Sequence, residues 1–112
     1  MKVIPSTNML GLTYFYLQKF DLSYSYYQQT LEIEEELYGP NDFKIYYSIT
    51  NVGVALEAIK DYEKAIKYYE RGLSMYEQEK GKNNLGYVTN LNTIARNYQY
   101  WEKWRRSLEY FQ

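Results

Sequence analysis

Shifting the chain by 42 residues against itself brings like residues into register, and few folds tolerate that. Gly11 falls on Gly53, and Ala95 follows. Tyr26 and Tyr27 fall on Tyr68 and Tyr69, then on Tyr110 and Phe111. Leu31 meets Leu73, Glu35 meets Glu77, and Gly39 meets Gly81. Phe20, Tyr62 and Trp104 form one further column, and Leu17, Ile59 and Trp101 another. Side-chain size is kept while identity drifts, so one packing task is repeated along the chain.

Each unit reads as two helices. Ile45, Ile49, Val52, Gly53 and Leu56 recur at helical spacing, as do Tyr62, Ala65, Ile66, Tyr69, Leu73 and Tyr76. Asn41 or Asp42 can cap the helix that follows, because a short side-chain oxygen reaches the free N–H groups of a first turn. Gly39 and Gly81 stand where a left-handed residue ends a helix, and Pro40 cannot extend one. The spacing predicts helices over about 6–18, 21–38, 42–59, 62–80, 84–101 and 104–112, with no strand. Pro5 interrupts the pattern near the start, so the first helix is expected to begin near Ser6.

A period of this length suits armadillo-like and HEAT-like arrays as well. The small residues discriminate. Leu10, Gly11 and Tyr14 are followed by Ser23 and Tyr27. Ile49, Val52, Gly53 and Leu56 are followed by Ala65 and Tyr69, and Leu91, Ile94, Ala95 and Tyr98 by Ser107 and Phe111. A large apolar residue, then a small one on the first helix, then a small residue four before an aromatic on the second, resembles the tetratricopeptide repeat. The 42-residue length, with "GPNDFKIYYSITNVG" and "GKNNLGYVTNLNTIA" in register, resembles the repeats of kinesin light chain. The Gly-x-x-His-Pro turn of those repeats is replaced here by Asp42-Phe43 and Asn84-Leu85, and Asn51 and Asn92 each keep one member of their asparagine pair.

The resemblance implies one all-α domain over 1–112, a right-handed α-solenoid of two and a half to three repeats. The units would be about 1–41, 42–83 and 84–112, with the last truncated. It also implies a concave face lined by the first helix of each unit. Off the packing stripe, that face would carry Asn8, Leu12, Phe15 and Tyr16, then Tyr47, Asn51, Val54 and Glu57, then Thr89, Asn92, Arg96, Gln99 and Tyr100. An asparagine there can bond both the N–H and the C=O of an extended peptide, and an arginine can anchor a carboxylate or phosphate. Relatives that bind acidic chaperone tails use five polar or basic positions, held here by Asn8, Leu12, Asn51, Thr89 and Thr93. Only Asn51 fits, so tight binding of such a tail is not expected.

Composition narrows the function. With no histidine or cysteine there is no imidazole base, thiol nucleophile or thiolate metal site, and no phosphate-binding glycine loop is present. No catalytic residue, metal ligand or cofactor is therefore assigned. The run Glu32, Glu34, Glu35, Glu36 reads as a solvated face. A net charge of −1 argues against nucleic acid, no apolar run is long enough for a membrane span, and the start makes a poor signal peptide. The compartment leans to the cytoplasm.

The 16 tyrosines mostly take packing roles. Tyr27 and Tyr69 share a column with Phe111, so the ring rather than the hydroxyl is expected to matter there. By that reading Tyr69→Phe changes little, while Tyr69→Ala costs about 3 kcal/mol or more. Tyr26, Tyr68 and Tyr110 should be half exposed, and Trp101 and Trp104 should pack at a turn. Residues after Trp104 begin a second helix without completing it, so the expectation is either that the chain is a piece of a longer array or that its open third unit pairs with another copy. The function expected is a scaffold that binds a protein or peptide segment in its groove. The rivals are a sensory or regulatory part of a larger signalling or transcription regulator, and a self-associating structural spacer.

Overall fold

The computed structural model describes the backbone of residues 3–110 and the side chains of residues 8–108. Five α-helices run in order: α1 (Val3–Tyr16), α2 (Phe20–Tyr38), α3 (Tyr46–Ile59), α4 (Tyr62–Lys80) and α5 (Leu85–Tyr110). A 3-10 turn at Phe43–Ile45 leads into α3, and no strand occurs among the described residues. Each helix packs chiefly on its neighbours in sequence, giving an elongated body of 51 × 35 × 20 Å. None of the described helices is long and apolar enough to cross a membrane.

The repeat columns account for the packing of α2 to α4, whereas on α1 Gly11 follows its column but Leu10 and Leu17, expected to pack, are exposed. Ile45, Ile49, Val52, Leu56, Ala65 and Tyr69 are all buried, with Tyr27 and Leu31 in the same core. A Cβ added at Gly11 would lie 2.7 Å from Cδ1 of Tyr27, and one at Gly53 would lie 2.9 Å from Cε1 of Tyr69. Glycine in the first helix thus makes the slot for the aromatic ring of the second. Ser23 completes the first pair by donating from Oγ to the Gly11 carbonyl at 2.8 Å. Tyr26 and Tyr68 are half-buried as expected, and Tyr26 stacks on Tyr14.

The two helix hairpins close in the same way. Gln18 at φ 62° and Lys60 at φ 76° take left-handed conformations. Lys19 N–H then donates to Tyr14 O, and Asp61 N–H to the equivalent Leu56 O, both at 2.9 Å. Gly39 and Gly81 end α2 and α4, but not as left-handed helical residues. Their φ of 91° and 81° pairs with extended ψ of 156° and −175°, a region that only glycine occupies readily.

Other expectations need correction. Pro5 does not delay α1, because it is the helix's third residue, where the missing N–H would have had no intrahelical acceptor. The helix expected from residue 42 opens instead with the 3-10 turn. Asp42 caps that turn by accepting from Lys44 N–H at 2.9 Å. The acidic run is only half solvated. Glu32 and Glu36 are exposed, but Glu34 accepts from the Ser48 hydroxyl, and Glu35 pairs with Arg71 at 2.7 Å. Both contacts join unit one to unit two.

The largest difference concerns the third unit. Two helices were expected over 84–101 and 104–112, whereas α5 runs unbroken through residues 101–104. Glu102 takes the column of Gln18 and Lys60, yet it is helical and pairs with Arg106 one turn on, at 2.8 Å. Lys103 shares a column with Asp61, which caps α4, and with Lys19, which caps nothing although the chain turns there, so the cap does not decide the turn. Trp104 accordingly does not pack in a turn but is exposed, while Trp101 is half-buried with Arg105 over its ring. Leu91, Ala95, Tyr98 and Ser107, expected to pack, are exposed too. Phe111 and the side chain of Tyr110 lie outside the described residues.

Candidate functional site

A cavity of about 450 Å³ opens where α1, α3 and α5 converge above α4. Phe15 enters from α1. Tyr47, Thr50, Val54, Glu57 and Ala58 come from α3, with Tyr46 at its start. Asn90, Thr93 and Arg96 come from α5, and Tyr62 and Tyr69 form the α4 side. The first helices of the three units supply most of this lining because the second helices pack behind them.

Glu57 organises the polar end. Its Oε1 accepts from the Tyr69 hydroxyl at 2.9 Å and from Asn97 Nδ2 at 3.2 Å, while Oε2 lies 3.6 Å from the Arg96 guanidinium. One carboxylate thus ties α3 to α4 and α5. Burial, then the charge of Glu57 and the bond to it, hold the Tyr69 hydroxyl far above the usual tyrosine range. The ring-only reading of Tyr69 was therefore incomplete, since its hydroxyl has a defined acceptor. At the other end the Tyr46 hydroxyl donates to Asn90 Oδ1 at 3.0 Å. Burial raises the Tyr46 hydroxyl pKa, against the lowering effect of its bond with Asn90.

Two polar atoms in this region are buried and unpaired: Asn90 Nδ2 and Asn97 Oδ1. Asn90 lines the cavity, whereas Asn97 is fully buried behind it. An unsatisfied buried amide carries a desolvation cost of about 1–3 kcal/mol, which a ligand group that bonds it removes.

The cavity gathers Phe15, Tyr47, Val54, Glu57 and Arg96 of the residues expected on the concave face. Asn8, Leu12 and Tyr16 lie exposed along α1, outside its lining, as do Thr89, Asn92 and Gln99 on α5. Asn51 is half-buried and does not line it. Tyr100 is also outside, its ring centroid 5.6 Å from that of Tyr62. Sequence reasoning missed Tyr46, Thr50, Ala58, Tyr62, Tyr69 and Asn90 in the lining, and Asn97 behind it, whereas Thr93, placed in the groove only as one of the chaperone-tail positions, does line it. One signal for Asn97 was available: it falls in the column of buried Ala55, and a polar group at a core position needs a partner. Among the described residues no cluster of three or more acidic, histidine or cysteine side chains could hold a metal.

Helix pairs that pack in sequence order, with first helices flanking an open trough, define an α-solenoid of helix-hairpin repeats. The chain belongs to the tetratricopeptide repeat family, whose model matches residues 3–78 and again residues 43–112. The two overlapping matches reflect the same internal repeat that the columns trace. Tetratricopeptide repeats are a scaffold type of repeat that generally mediates protein–protein interaction. Among curated proteins, none matches this chain.

Proposed function

We propose that this chain is a scaffold module that holds an extended peptide segment of a partner protein in the trough between α1, α3 and α5. Its units would be residues 1–41, 42–83 and 84–112. The observation that carries the reading is the unpaired Nδ2 of Asn90, a buried donor in a cavity walled by tyrosines. A backbone carbonyl of a bound segment would accept from it. The rings of Tyr47 and Tyr62 offer flat apolar contact with polar tips, which suits a segment of mixed character. Arg96 is engaged by Glu57, so the polar end presents a near-neutral pair rather than a free cation. That favours neutral segments over the acidic tails that some relatives bind. Catalysis plays no part in this reading.

The test is a displayed-peptide selection against the whole chain, followed by calorimetric titration of the selected peptides. Asn90→Ala should weaken binding about tenfold, the equivalent of one lost hydrogen bond of ~1.4 kcal/mol. Asn8→Ala, outside the cavity, should leave it unchanged. Equal losses from both variants, or tighter binding of an acidic tail than of neutral peptides, would refute the placement.

A further inference from the structure

The sequence carries no charged residue from Val3 to Gln18. Among the other described helices only α3 comes close, with Glu57 alone. That composition suits α3, which packs on α2 at one side and on α4 at the other. On α1 it is out of place, because α1 packs chiefly on α2 and leaves its opposite side bare. Met9 is 59% exposed there, Leu10 41%, Tyr16 77% and Leu17 59%. Leu17 still donates its N–H to Thr13 O at 3.0 Å, so helical geometry reaches it. These four residues are disposed symmetrically about Thr13, which is exposed as well. With about 3.6 residues per turn, Met9 and Leu17 stand about 40° to either side of Thr13, and Tyr16 and Leu10 about 60°. Met9 shares its side with Tyr16, and Leu10 shares the other with Leu17. Gly11, which faces the Tyr27 ring, and Phe15, which lines the trough, both lie about 160° away.

We propose that two copies of this chain form a reversible pair by laying α1 on α1, antiparallel, about a two-fold axis at Thr13. Three observations commit the face to a second copy. First, it is self-complementary. The two-fold axis reverses the helix direction but keeps each residue on its own side. Met9 of one copy therefore meets Tyr16 of the other, and Leu10 meets Leu17. A thioether against an aromatic ring is a favourable contact, and leucine on leucine fills space without polar atoms. Thr13, a small side chain, meets its own copy on the axis, where the helices come closest. Second, the face has no charge to strip of water, and no like charges of α1 oppose each other. Third, the area fits a weak pair. At roughly 200 Å² per large residue, the bare parts of Met9, Leu10, Tyr16 and Leu17 amount to roughly 950 Å² over two copies. Thr13 brings the contact to about 1,000 Å², short of the ~1,200 Å² where stable interfaces begin. Pairing is therefore reversible, and it leaves Phe15 and the trough of each copy open.

The chain has no cysteine, so one introduced thiol reports the contact. Thr13→Cys sets that thiol on the two-fold axis. Helices about 8–10 Å apart bring the two Cα atoms within the ~7 Å that a disulfide spans. Mild oxidation should link copies about tenfold faster than in Asn8→Cys, on the same helix but about 140° away. It should also be faster than in Ala95→Cys, on the bare side of α5. Sedimentation of the unaltered chain should show a monomer–dimer equilibrium with Kd on the order of 0.1 mM. Leu17→Glu changes an exposed residue and sets a carboxylate against Leu10 of the other copy, so Kd should rise about tenfold or more. A monomer up to about 1 mM would leave the face to a different occupant and overturn the proposal. Equal cross-linking in the three cysteine variants, or the fastest in Ala95→Cys, would overturn it too. So would growth past the dimer, or a dimer indifferent to Leu17→Glu.

Discussion

Ile49 and Leu91 occupy one repeat column, yet Ile49 is fully buried on α3 while Leu91 stands open on α5. Gly53 and Ala95 differ in the same way, as do Leu56 and Tyr98. The helices bearing them have similar apolar stripes, and α3 and α5 each pack on the helix before them. What separates them is the next helix. After α3 the chain turns and α4 covers the stripe; after Trp101 it continues straight. A stripe at helical spacing thus specifies a surface that can be buried, and the following connection decides whether it is.

The turn itself explains why. Gln18 and Lys60 adopt left-handed backbone without being glycine, at a cost of about 1–2 kcal/mol each. Only the packing of α2 and α4 offsets that. Where the return helix gains less than the turn costs, the helix runs on, and Glu102 shows that outcome.

Three experiments would break or sharpen this contrast. The largest effect should come from truncating one aromatic in each unit. Tyr69→Ala empties a slot under α3 and should cost about 3 kcal/mol or more in a urea melt. Tyr98→Ala removes an exposed ring and should cost under ~1 kcal/mol. Comparable losses would mean that Tyr98 is covered in solution.

Next comes the small-residue column. Gly53→Ala drives a methyl against a buried ring and should destabilise by roughly 1–2 kcal/mol. At Ala95 the order should reverse, because Ala95→Gly only loosens a helix, by about 0.5–1 kcal/mol. Thermal melts that preferred alanine at both positions would remove the close-approach argument.

The smallest effect concerns the Tyr69 hydroxyl. Tyr69→Phe takes one donor from Glu57 and should cost about 1 kcal/mol near neutral pH. Its folded pKa lies above the usual tyrosine value near 10, so the unfolded chain loses that proton first. The native bond therefore stabilises fully below about pH 10 and progressively less above it. The gap between the native chain and the phenylalanine variant should narrow on alkaline titration, followed by denaturant midpoint. A gap that widened would show that the hydroxyl is already ionised in the folded state.

Much of this fold was legible in the sequence because the repeat pattern and the buried columns coincide. Ile45, Ile49, Val52, Ala65 and Tyr69 could be placed without coordinates, and so could the glycines beneath Tyr27 and Tyr69. The straightness of α5 was not, since Gln18, Lys60 and Glu102 give no residue-type signal for turning or continuing. The trough was half legible. Spacing put Phe15, Tyr47, Val54, Glu57 and Arg96 on the right helices. However, a projection of single helices cannot show that Tyr69 reaches through from α4, or that Asn90 stands between α5 and Tyr46. Those positions depend on how neighbouring units rotate against each other, which the column pattern leaves open.

The carboxylate of Glu57 also has a mechanical consequence. It bolts α3 to α4 and α5, while α1 leans mainly on α2. The trough therefore resembles a vice with one fixed jaw and one sprung jaw. A segment held there, as proposed, would meet Phe15 on α1, outside that tie, and an opposite wall braced by Glu57.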